Sequence, residues 1–148
     1  MNPTPKLPVF AKVIVALALP ASAFRLYVAL LIIMALMDGA TSGVPIGLSW
    51  AEALTGFMAG AIGISGTFDL LARKTKGITA CWTCIGFNTA NIVVSFITFM
   101  ILPTDLEFFD IYGMGMIRVA FTITFACAVI QASKVLRKPA DDTPEQEP

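Results

Sequence analysis

The sequence contains no histidine and few charged side chains. Its 148 residues include ten basic and ten acidic ones, only 14% of the total, and the formal net charge is zero. Without histidine the chain has no His-ligated haem or chlorophyll, no His-containing zinc site and no His general base. A general nucleic-acid binder would carry a basic excess, so no nucleic-acid partner is expected. The apolar share of 57% and the mean hydropathy of +0.81 favour a lipid environment.

Cysteines are also few, and their number is odd. Cys81 and Cys84 belong to a Cys-Trp-Thr-Cys stretch, and Cys127 stands alone in an apolar run. A thioredoxin-like pair would need alternating strands and helices, a pattern that is missing here. No phosphate-binding glycine loop or nucleophile elbow is present. We therefore expect no enzyme activity, no metal site and no identifiable cofactor, with bound lipid or pigment left open. The Cys pair is interpreted as small packing residues, with a redox or metal role as the alternative.

Long apolar stretches are abundant and set the fold class. Three of them, about 50–72, 78–102 and 113–135, are long enough to cross a bilayer as helices. The final ten residues, 139–148, combine four acids with three prolines and predict a disordered acidic tail. The sequence thus predicts one all-α transmembrane domain over residues 1–138, built as a four-helix bundle.

The N-terminal apolar stretch is longer than one span requires. A single helix over 9–37 would exceed the thickness of the hydrocarbon core and would bury Arg25. Because proline removes a helical hydrogen bond, we expect a break at Pro20. An amphipathic interfacial helix at about 7–19 would then precede a first span at about 20–37, with Arg25 snorkelling to the inner surface.

The basic residues predict the orientation of the chain. Nine of the ten fall on the cytoplasmic side of a four-span arrangement, and the loops 38–49 and 103–112 contain none. This is the positive-inside pattern, so both termini are expected in the cytoplasm of a bacterial-type inner membrane. A cleavable secretory signal ending at Ala21-Ser22-Ala23 is an alternative for the N-terminus. Cleavage would invert every later span, against the distribution of charge.

Two helix faces carry features suited to contact between helices. The second span presents Gly56, Gly60, Gly63 and Gly66, a pattern that lets another helix approach closely or lines a pore or hinge. The third span has polar residues at steps of three and four, which places them on one face of the helix. Because unpaired amides are costly in lipid, this face must meet another helix, another chain or water. Its members are Cys81, Cys84, Asn88, Asn91, Ser95 and Thr98.

Two charged residues fall inside the predicted spans at similar depth. Arg118 lies in the fourth span and Glu52 in the second, on its glycine face. Because a charge within a membrane segment normally pairs or lines a wet cavity, we expect an Arg118–Glu52 ion pair. Asp38 and Asp110 are substitute partners.

These features favour a non-enzymatic structural or accessory subunit of a membrane assembly, or a homo-oligomer. Its partners would be membrane lipids and other membrane protein subunits or copies of itself, joined by lateral helix packing. The alternative is a small channel, holin-like pore former or transporter whose polar path is lined by the third span. A Cys-based membrane redox enzyme is a more distant alternative.

Overall fold

The chain folds into four long α-helices that follow one another in the sequence and pack side by side. The structure is a computed structural model that describes residues 6–39, 45–101 and 108–137, without the side chains of 108–112 and 114. The predicted tail at 139–148 therefore lies outside the described residues, as do residues 40–44 and 102–107. The helices are α1 (Val9–Met37), α2 (Ile46–Leu71), α3 (Lys76–Ile101) and α4 (Phe108–Leu136).

All four helices are long and apolar enough to cross a membrane, over Gly115–Leu136 in the case of α4. The prediction of an all-helical chain with four long apolar helices is confirmed, and α2, α3 and α4 differ from the predicted spans by a few residues at their ends. Helix ends are the least sharply defined part of an apolar periodic segment, because capping and loop geometry decide them.

The N-terminal stretch forms one helix, α1, where the sequence predicted an interfacial helix and a separate span. Pro20 lies inside α1 and points outward. It forfeits a single backbone hydrogen bond, which a long apolar helix tolerates. The side chains that α1 buries form one stripe on both sides of Pro20, so a break would separate them from their neighbours. They are Ala11, Val15, Ala18, Ser22 and Ala29.

Neighbouring helices run antiparallel in an up-down-up-down bundle. α2 contacts both α1 and α3 extensively, whereas α4 packs more lightly against α3 and α1. The close contacts of α2 follow from its buried stripe of small residues, which lets the backbones approach. A short turn over 72–75 joins α2 to α3. Beside it, the Asp69 carboxylate forms ion pairs with the Lys74 Nζ atom at 3.2 Å and the Lys76 Nζ atom at 3.3 Å.

The interior changes character along the bundle. At the end that holds the α2–α3 turn, the core is apolar and includes Val15, Leu70, Ile78 and Val129. Toward the other end the buried side chains are polar, among them Asn91, Ser95 and Thr98. The outer surface carries large apolar side chains on every helix, such as Phe24, Met58, Phe96 and Ile123. The polar groups of the bundle interior are therefore enclosed by an apolar exterior.

Candidate functional site

A polar network crosses the bundle interior between α2, α3 and α4. Its centre is Asn91, which is 4% exposed, and Ser95, which is equally buried one turn further along α3. The spacing of four residues puts both side chains on one face of the helix. Glu52 and Thr55 approach this face from α2, and Arg118 approaches it from α4.

Asn91 uses both ends of its amide. Its Nδ2 donates to the backbone carbonyl oxygen of Glu52 at 2.8 Å and to Thr55 Oγ1 at 3.0 Å. Its Oδ1 accepts a hydrogen bond from Nη2 of Arg118. One side chain of α3 therefore joins the backbone of α2 to a charged group of α4. Such interhelical hydrogen bonds contribute about 0.6–2 kcal/mol each in membrane proteins.

Glu52 and Arg118 meet through a hydroxyl group. Arg118 Nη1 donates to Ser95 Oγ at 3.3 Å, and the Ser95 hydroxyl donates to Glu52 Oε1 at 2.7 Å. The sequence predicted an ion pair between these two residues. In the structure the Ser95 side chain of α3 lies between them and bridges the two charged groups. Asp38 is exposed just beyond the end of α1, and the side chain of Asp110 lies outside the described residues.

Asn88 lies one turn closer to the apolar end and has a separate partner. Its Nδ2 donates to Thr122 Oγ1 at 2.5 Å, and the Thr122 hydroxyl donates to the backbone carbonyl oxygen of Arg118 at 2.7 Å. The Oδ1 atom of Asn88 is buried and has no hydrogen-bond partner in the described part of the chain. A buried acceptor without a partner is uncommon and calls for an explanation.

All four glycines of the predicted packing face are buried in α2. The tightest approach to a neighbouring backbone on this face is at Gly60, where an added Cβ would lie 2.8 Å from the backbone nitrogen and Cα of Leu26 in α1. Gly66 lies against α3 near Ala80, and Gly63 faces both α1 and α3. Gly56 has only ordinary contacts, with Ala29 and Asn91 at 3.5 Å from an added Cβ.

Arg25 lies near the middle of α1, because the helix does not break at Pro20. Its side chain is partly buried beside the bundle interior. The prediction that it snorkels to the inner surface of a membrane depended on that break and stays a prediction. The regular recurrence of small residues at Ala18, Ser22 and Ala29 was the available signal for a continuous helix, since it marks the face of α1 that packs inward.

The cysteines occupy two different environments. Cys81 and Cys84 are buried free thiols, and Cys84 Sγ donates to the backbone carbonyl oxygen of Ala59 at 3.2 Å. Cys127 is exposed on α4. Within the described ranges no three His, Cys, Asp or Glu side chains are grouped to hold a metal ion. Close packing and one weak hydrogen bond account for the buried pair.

No family model, curated protein or solved structure matches this chain. The interior network fixes three helices relative to one another by hydrogen bonds, and the exterior presents apolar side chains.

Proposed function

We propose that this chain is an integral membrane protein that crosses a bacterial-type cytoplasmic membrane four times. In this proposal it is a non-enzymatic structural or accessory subunit of a membrane assembly, which it joins through lateral helix packing. The observation that carries the proposal is the inward direction of the α3 polar side chains. Asn91 and Ser95 are satisfied by α2 and α4, while the outward side chains of the same helix, such as Val93 and Ile97, are apolar and exposed.

The apolar exterior supports membrane insertion. Exposed large apolar side chains occur along the full length of the helices rather than in one patch, which is the surface that lipid tails cover. In lipid, helices associate through close packing and interhelical hydrogen bonds rather than through the hydrophobic effect. A small chain of this kind presents helix faces to lipid and to other helices, and this is the basis for a subunit role.

Charge at the two ends of the bundle supports cytoplasmic termini. The antiparallel arrangement brings basic residues near the start of α1, in the α2–α3 turn and at the end of α4 to the same end of the bundle. Basic residues on short connections favour the cytoplasmic side. The described residues concerned are Lys6, Lys12, Arg73, Lys74, Lys76, Lys134 and Arg137.

The assembly role predicts a particle larger than the single chain. Tagged protein expressed at native level and extracted in mild detergent should migrate as a complex well above the 15.8 kDa of one chain plus its detergent. Two differently tagged copies co-expressed in one cell separate the two forms of assembly. Their co-purification indicates a homo-oligomer, and a large particle containing one tag indicates an accessory subunit of other chains.

A matched flux measurement distinguishes this role from the channel alternative. Proteoliposomes containing the purified chain should pass ions no faster than protein-free liposomes, because Asn91 and Ser95 of α3 are bonded to α2 and α4. A monomeric particle, or a flux that falls on Asn88→Leu, would contradict the proposal. Thr89→Leu serves as the control variant, since Thr89 is exposed on the same helix and its hydroxyl donates to the Ile85 carbonyl oxygen of its own helix.

A further inference from the structure

A half-open cavity of about 50 Å³ lies between the four helices, on the apolar side of the polar network. Because a water-sized group occupies about 10–15 Å³ of such volume, the space suits a few waters or one small ion. All four helices contribute to its wall, and the residues that matter for its chemistry are Ser22, Arg25, Cys84, Asn88 and Thr122. The remainder of the wall is apolar, including Phe121 and Phe125.

Arg25 brings a positive charge to this cavity that the protein does not balance. Among the described residues no carboxylate forms an ion pair with it, and the ion pairs found are those of Asp69 at the α2–α3 turn. Glu52, the carboxylate that approaches the bundle interior, is linked through Ser95 to Arg118 instead. Two interior cations therefore share one anion, and a charge within a membrane bundle requires a partner.

Asn88 and Ser22 add polar groups to the same wall. The Nδ2 group of Asn88 donates to Thr122. Its Oδ1 atom has no partner in the described chain, but it is enclosed by protein atoms. The surplus that a ligand in the cavity must balance is therefore the positive charge of Arg25, so the ligand must be anionic.

We propose that this cavity is a binding site for one small monovalent anion, held by Arg25. The small volume within the wall favours a halide or a small oxyanion such as hydrogencarbonate over a large organic anion. One surplus charge disfavours a dianion. This site is separate from the proposed subunit role, because it concerns the interior of the bundle and not its outer faces.

Equilibrium binding of radiolabelled chloride to the purified full chain in neutral detergent tests the site, with gluconate as the background anion. Saturable binding of about one chloride per chain is expected, displaced by hydrogencarbonate, formate and nitrate but not by sulfate.

Variants locate the site. Arg25→Gln should weaken chloride binding at least about tenfold, Arg25→Lys should retain part of it, and Lys12→Gln, exposed on the same helix, should leave it unchanged. Asn88→Asp places a negative charge in the wall of the cavity and should abolish binding while the helical content is kept. The absence of saturable binding would overturn the proposal. Wild-type affinity in Asn88→Asp would also overturn it, even if Arg25→Gln did not fold.

Discussion

Replacing Arg118 with methionine is expected to lower the free energy of unfolding by about 3 kcal/mol. Methionine keeps much of the apolar stem, so the loss reports the guanidinium group and not packing. Without it, Asn91 Oδ1 and Ser95 lose their charged donor, and the Glu52 carboxylate remains inside the bundle without a cation. This expected loss lies at the lower end of the range for breaking a buried ion pair, because Glu52 and Arg118 are only partly buried. Unfolding by SDS titration in mixed micelles measures the change.

Two further variants test whether the loss of stability comes from the interior network. Arg137→Met, at an exposed position after α4, should change stability by less than about 0.5 kcal/mol. The double variant Glu52→Gln/Arg118→Met removes both charges and should recover a substantial part of the lost stability, since an unpaired interior charge costs more than a neutral side chain. Equal stabilities of Arg118→Met and Arg137→Met would contradict the network as described.

Replacing Gly60 with alanine should destabilise the bundle by about 1–3 kcal/mol, although alanine is the better helix former. The added Cβ would lie 2.8 Å from backbone atoms of Leu26, so the α1 and α2 backbones must separate. The loss would extend to neighbouring contacts of the interface, because a packed backbone pair moves as a unit. The same SDS titration measures it.

Gly86 provides the matched control for this substitution. It lies in the middle of α3 and has nothing within 4 Å of an added Cβ. Gly86→Ala should therefore leave stability unchanged or raise it by up to about 1 kcal/mol through helix propensity. If Gly60→Ala and Gly86→Ala behave alike, α1 and α2 do not approach as closely as the structure indicates.

The sequence was sufficient to predict four long apolar helices and to place the glycines of α2 and the polar residues of α3 each on one helix face. Apolar length identified four long helices, and steps of three and four residues placed Asn91 and Ser95 together. The partners of these side chains could not be read from spacing, because the backbone oxygen of Glu52 and the intervening Ser95 hydroxyl depend on how α2, α3 and α4 are seated.

The predicted break in α1 at Pro20 is wrong for a physical reason. Proline and an interior arginine are both unfavourable in isolation, and together they suggested a break. In the bundle, Pro20 faces outward and forfeits one hydrogen bond, while Arg25 lies beside a cavity with polar walls. The local cost is offset by the continuous packing of small residues on the opposite face, from Ala11 to Ala29.

We propose a four-span bundle with its polar groups inside and its basic end in the cytoplasm. Labelling of two introduced cysteines by a membrane-impermeant maleimide in intact bacterial spheroplasts tests this arrangement, with the wild-type chain as background. Gly47→Cys, near the start of α2, should label in intact spheroplasts, whereas Thr75→Cys, exposed in the α2–α3 turn, should label only after permeabilisation. Labelling of Thr75→Cys in intact spheroplasts, with or without Gly47→Cys, would contradict the account.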